Sequence, residues 1–408
     1  MKKLLIMGGK PIGSTEIVKK AKEMGIYTIV TDFLSEEESP AKKIADEQWN
    51  ISTADITELS KKAVENGVDG VIAGVHEFCI KKALELGEKI GVTSWCTLEQ
   101  WEKCSNKKLF KEMCVRHGIP VARVYKKDDS INYPVIVKPA DSDGSRGFSI
   151  CHNADELREG VRHALEFSGE YLIEEYMQCN ACIIHYTAVN GEIIFSGISD
   201  KYSEKLNGGS MVMALQLFPA RDMEIYMKEI NPKAIQMFKD LHIKNGPIWI
   251  EAFNDNGRFV FNEMALRPGG SMTNYPVEYY TGIDQIKLML DASLGNDCSQ
   301  QTSIDFDRGG YVILPIHIKP GTVSKIEGMD TLKELPYVNA VTLVHTVGDE
   351  IQNWGTAQQV FCYMHLTYTF ESELKDRIHA VKNIIGVTDA NGDEMLFYLL
   401  DTDRMFNE

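Results

Sequence analysis

Two glutamates occupy stretches that are otherwise apolar: Glu251 in Trp249-Ile250-Glu251-Ala252-Phe253, and Glu263 in Phe261-Asn262-Glu263-Met264. Carboxylates in apolar strands are costly unless a cation neutralises them. Oxygen-only ligands beside phosphate groups suit Mg²⁺, with Mn²⁺ as the substitute. Arg267 comes next, followed by Gly269-Gly270, so a fixed fork of donors stands beside backbone amides that a ligand can approach. Such a group would hold anionic oxygen. Upstream, Tyr133-Pro134-Val135-Ile136-Val137-Lys138-Pro139 closes an apolar run on a lysine, and Asp141-Ser142-Asp143-Gly144-Ser145-Arg146-Gly147 continues as a polar loop. The amides of Gly144, Ser145 and Gly147 can approach phosphate oxygens, and Lys138 and Arg146 supply positive charge. Packing alone does not explain a lysine in that place.

Two further groups are weaker. Gly8-Gly9-Lys10-Pro11-Ile12-Gly13, with Asp32 downstream, invites a nicotinamide-binding reading and hence an oxidoreductase. The spacing is not G-x-G-x-x-G, so a tight strand-to-helix turn is the better description, one whose amides could still hold an anion. Glu77 follows Gly74-Val75-His76, where a doubly wound sheet presents its ligands, and it could meet a substrate amine. A helix-start carboxylate favoured by the dipole is the equal alternative. Cys179-Asn180-Ala181-Cys182, with His185 beyond, lacks the second ligand pair a structural zinc needs.

The elements that must position these residues can be read from glycine punctuation and periodicity. Apolar runs at residues 3–7, 27–30 and 70–74 alternate with helical stretches near 14–24 and 79–90, which predicts a doubly wound parallel sheet. Residues 98–117 have helical spacing up to Gly118 and Pro120. Strands then dominate, with a helix at 157–167, a hairpin turn at Asn190-Gly191 and a helix at 232–241. A second hairpin, turning at Asn256-Gly257, would set Glu251 and Glu263 on one face. The last hundred residues read as strands with a helix near 371–381.

The chain has 408 residues, with 43 Lys and Arg against 59 Asp and Glu, a formal net charge of −16. A length of this order suits several packed domains. The acidic balance argues against broad nucleic-acid binding, which needs a basic surface. Nine scattered cysteines fit reduced thiols. No apolar run is long enough for a bilayer, and Met1-Lys2-Lys3 with Leu4-Leu5-Ile6-Met7 reads as a first strand rather than a signal peptide. The expected compartment is the cytoplasm.

Taken in order, these motifs resemble the ATP-grasp superfamily, including L-amino acid ligases, purine-pathway carboxylases, and the biotin carboxylase and carbamoyl-phosphate synthetase ATP-grasp domains. The resemblance covers about residues 1–300. It implies an α/β fold of ATP-grasp architecture: an N-terminal doubly wound parallel-sheet domain (1–97), a two-lobed ATP-binding α+β region (98–303) and a small β-rich C-terminal domain (304–408). By the same resemblance, Lys107 after Asn106 would contact ATP phosphate, and Lys138 with the loop to Gly147 would be the second lysine and phosphate loop. Glu174-Glu175-Tyr176-Met177 would be the adenine hinge, Glu251 and Glu263 the metal glutamates. Arg267, Gly269 and Gly270 would greet the transferred phosphoryl group or a substrate carboxylate. Two positions depart from the pattern: the stretch Cys179-Asn180-Ala181 where a ribose-binding glutamate is usual, and Ala265 where many relatives carry asparagine. The implied reaction is ATP- and Mg²⁺-dependent carboxylate–amine ligation. Bicarbonate activation is the runner-up. The expected partners are small-molecule carboxylate and amine substrates, with no nucleic acid, no membrane, and a homodimer as the conceivable assembly.

Overall fold

Short, uniformly apolar runs bounded by glycine belong in a sheet covered on both faces. The structure, a computed structural model, describes residues 1–126, 129–139, 147–206, 211–353 and 355–399. Its first sheet is parallel, in the order Glu47–Trp49, Tyr27–Thr31, Lys3–Met7, Gly70–Ala73. Strand order reverses at Lys3–Met7, which opens a crevice at its carboxyl end against that of Gly70–Ala73. The helices Ile12–Glu23 and Glu77–Ile90 start at this edge.

The helical stretch expected across residues 98–117 is two helices, Leu98–Ser105 and Lys107–Arg116. Asn106 divides them. It ends the first, and its side-chain oxygen accepts from the N–H groups of Lys108 and Leu109, both at 3.0 Å. Asparagine competes with its own helix in this way, and periodicity is blind to that.

A four-stranded antiparallel sheet follows, in the order Val124–Tyr125, Tyr171–Glu175, Val135–Pro139, Ser149–Cys151. Val135 and Val137 turn towards the helix Ala154–Leu165, which leaves Ile136 and Lys138 on the other face. The large antiparallel sheet has nine strands. Its order begins Arg258–Ala265, Gly246–Asp255, Ala181–Val189, Glu192–Lys205, Met211–Phe218, then continues Gly310–Ile318, Val360–Tyr368, Val338–Leu343. Leu396–Phe397 adds to Gly310–Ile318 at its far end. The sheet therefore runs unbroken past residue 303. One hydrophobic core joins the parallel sheet to the first half of the large sheet, and a second lies under the C-terminal strands and the helix Glu371–Ile384. The expected α/β architecture is present. Among the described residues, no helix is long and apolar enough to cross a membrane.

Candidate active site

The hairpin forms as its turn residues demand: Asn256 and Gly257 both take positive φ, 50° and 85°. The register sets Glu251 directly opposite Glu263, with a bulge immediately after Glu251. Burial and then Glu251 push the Glu263 carboxyl above its ordinary range, partly offset by the charge of Lys107. Burial acts the same way on Glu251, but Lys201 and Asn262 outweigh it and hold that carboxyl low. Lys201, on Glu192–Lys205, stands 2.6 Å from Glu251, and Asn262 donates to the same carboxylate at 3.2 Å. Two facing half-buried carboxylates, one of them reluctant to ionise, fit a divalent cation. No cluster of three His, Cys, Asp or Glu side chains occurs among the described residues. The protein would thus supply two carboxylates, and phosphate and water oxygens the remainder, which is how Mg²⁺ is usually held.

Lys138 ends its strand with its ammonium 2.7 Å from the Glu174 carboxylate and 3.4 Å from Asn262. Lys111, from the helix Lys107–Arg116, bonds the other oxygen of Glu174. Lys107 is the first residue of that helix. The hinge is more self-occupied than a base-reading strand was expected to be. The Glu175 N–H donates to the Arg123 carbonyl at 2.9 Å, and the Tyr176 N–H reaches Pro134 at 3.4 Å, so those two donors hold neighbouring chain. Met177 is buried beside Ala122 and Val260. Gly147 has φ 74°, and a Cβ there would lie 2.6 Å from the Phe167 ring, so close packing already accounts for this glycine. Gly144, Ser145 and Arg146 lie outside the described residues.

Arg267 is met by Glu77, the first residue of the helix Glu77–Ile90. Its Nη2 is 3.0 Å from the Glu77 carboxylate, its Nη1 donates to the Pro268 carbonyl at 3.0 Å, and the guanidinium lies 5.4 Å from the Trp249 ring. Its Nε is buried and has no hydrogen-bond partner among the described residues. The indole of Trp95 donates to the Leu266 carbonyl at 2.8 Å and fixes the chain just before the arginine. Gly269 differs from expectation: its N–H is committed to Thr273 Oγ1 at 2.7 Å, so it is not an open amide. Gly270 has open space where a side chain would be.

The first glycines form the tight turn. Gly8 takes φ 83°, and the Gly9 N–H donates to Asp32 at 2.7 Å, so that amide is not available to an anion. Asp32 also accepts from Ser39 and pairs with the buried Lys42. A carboxylate so fully used has no oxygen left for a ribose.

Of the residues singled out in the sequence, Lys138 pairs with Glu174, Glu251 faces Glu263, Lys107 and Glu77 lie near enough to act on the charge of Glu263, and Arg267 pairs with Glu77. Sequence reasoning missed Lys111, Lys201, Asn262 and Trp95. Lys111 stands one helical turn after Lys107, a spacing that signals a shared face.

The family model described as D-ala D-ala ligase C-terminus matches residues 87–289. The chain is 26% identical over 202 residues to a 5-formaminoimidazole-4-carboxamide-1-(beta)-D-ribofuranosyl 5'-monophosphate synthetase of Pyrobaculum islandicum, covering 47% of this chain and 57% of the relative. The match therefore spans little more than half of that protein. It is 22% identical over 296 residues to an L-arginine-specific L-amino acid ligase of Bacillus subtilis, covering 68% of this chain and 70% of the ligase. Its fold matches the biotin carboxylase domain of the Hydrogenobacter thermophilus 2-oxoglutarate carboxylase, solved with MgADP, ADP and bicarbonate. There the TM-score is 0.79 at 19% identity, over 97% of this chain and 91% of the other.

Proposed function

The chain belongs to the ATP-grasp superfamily, and on that premise we propose that it is a ligase activating a carboxylate as an acyl phosphate and coupling it to an amine. The observation that carries this reading is the Glu77–Arg267 pair at the edge of the parallel sheet, joined across the sequence at 3.0 Å. Without a ligand, each charge satisfies the other. An amino acid offers a carboxylate to the arginine fork and an ammonium to the glutamate, so it can enter between them at little electrostatic cost.

In the reaction, a carboxylate oxygen attacks the γ-phosphorus, the bond to the ADP oxygen breaks, and an acyl phosphate results. The amine then attacks the acyl carbon, phosphate leaves, and the amine gives up a proton. When bound between Glu251 and Glu263, Mg²⁺ supplies charge neutralisation at the phosphates. Lys138 and Lys107 add fixed positive charge on the nucleotide side, and Lys201 keeps Glu251 ionised. Arg267 holds the carboxylate in line. Residues 1–97 would face the amine, 98–303 would hold the nucleotide, and 304–408 would complete the sheet.

A second reading, activation of bicarbonate, draws support from the likeness to a carboxylase domain solved with bicarbonate. It leaves Glu77 with no substrate group to hold. Nicotinamide chemistry loses its residue basis, because Asp32 is already spent within the turn. ADP release measured across amino acids, dipeptides and bicarbonate, with mass spectrometry of the products, separates the readings. Release that requires an amino acid and yields an amide supports ligation, whereas release with bicarbonate alone overturns it.

A further inference from the structure

Glu174 is buried, with 2% of its side chain exposed, and it faces two ammonium groups. One lysine would neutralise it. The second, Lys138, also acts on the carboxylates of Glu251 and Glu263. The two lysines are not equivalent in position. Lys111 is buried, at 6% side-chain exposure, whereas Lys138 is more open, at 14%, and also contacts Asn262, the partner of Glu251.

The three residues come from separate elements. Ile136 pairs with Glu174 and Lys138 with Leu172, so Lys138 and Glu174 lie diagonally on one face of the small sheet. Lys111 comes from the helix Lys107–Arg116, whose Phe110 stacks on Phe261 with ring centroids 6.3 Å apart. Phe261 belongs to the strand that carries Glu263. Lys111 is therefore anchored to the large sheet and reaches across to a carboxylate of the small one.

We infer that Lys111 is a positioning residue for the nucleotide phosphates: it fixes the Glu174 carboxylate, and that carboxylate holds the Lys138 ammonium at the phosphate site. The Lys138 ammonium is then held in a fixed place to meet a phosphate oxygen. Electrostatics agree with this arrangement. Burial alone would raise the Glu174 carboxyl, but Lys138 and Lys111 keep it below the ordinary range. Burial, and then Lys138, lower Lys111 to about 8. The inference rests on the reading of Lys138 as a nucleotide-phosphate ligand.

The test is calorimetric titration of the full chain with MgADP and with adenosine. Wild-type protein that fails to bind MgADP would refute the nucleotide reading itself. Given wild-type binding, Lys111→Met should weaken MgADP at least about tenfold while leaving adenosine affinity within about twofold, and Lys111→Arg should restore much of the loss. A residue serving only the fold would weaken both ligands alike, with a matching fall in melting temperature, and that result overturns the inference. So does unchanged MgADP affinity. Should Lys111→Met not fold, Lys111→Gln keeps a donor to Glu174 without the charge, and the same comparison between ligands applies.

Discussion

At the scale of single residues, the account turns on how the charged groups of the site are partnered. Glu251 and Glu263 face each other in register, and only one is held low by neighbours. Glu263→Gln keeps the shape and removes a ligand and a charge. ADP formation should fall at least about a hundredfold, roughly 3 kcal/mol, with the fold intact by circular dichroism. Turnover unchanged at saturating Mg²⁺ would refute the metal assignment. Arg267→Lys keeps the charge but loses the fork that reaches both Glu77 and Pro268. Carboxylate-dependent turnover should fall about tenfold or more, roughly 1 to 3 kcal/mol, while background ATP hydrolysis is much less affected. An equal fall in both rates would mean that Arg267 serves the nucleotide rather than the carboxylate.

At the scale of elements, the sequence is legible where one local rule decides the outcome. Asn256-Gly257 set the hairpin, and the hairpin set the two glutamates face to face. The glycine-bounded apolar runs set the parallel sheet. What stayed hidden depends on contacts distant in sequence. Lys201 meets Glu251 across the large sheet, and Lys111 meets Glu174 from a helix on the opposite wall, so neither pairing follows from spacing. The hinge was legible as a strand end, but not that its N–H groups would be claimed by Arg123 and Pro134. The division at Asn106 escaped because a mid-pattern asparagine looks tolerable until its side chain caps the next turn. That division carries its own expectation. Asn106→Ala removes the cap that starts the helix bearing Lys107 and Lys111, and should cost about 1 kcal/mol in denaturant unfolding. A stability unchanged within error would show that the cap contributes nothing there.

At the scale of the molecule, the large sheet buries three histidines as neutral rings: His185 against Phe218, His317 against Phe397, and His365 against Tyr275 and Tyr311. Burial lowers them to about 3, 4 and 3 respectively. In the unfolded chain they take up protons near pH 6.5, so the unfolded state binds more protons below that value. Stability is complete above about pH 6.5 and falls as pH drops towards the folded values, by about 1.4 kcal/mol per pH unit for each ring. His365→Phe should reduce the slope of unfolding free energy between about pH 6 and 5 by about 1 kcal/mol per pH unit. An unaltered slope would mean that the ring is not neutral in the folded protein. The sheet that hides these rings also carries Glu251, Glu263 and Lys201. It presents them to the candidate site where Arg267 pairs with Glu77, at the start of the helix Glu77–Ile90. The central claim is that a carboxylate at that site attacks the γ-phosphorus. It is tested most directly with the carboxylate substrate found in the ADP-release screen, labelled with ¹⁸O in its carboxylate and turned over with MgATP and amine. The account predicts one labelled oxygen in the inorganic phosphate for each ADP formed. Unlabelled phosphate accompanying ADP release would show that water or another group attacks instead, and would contradict it.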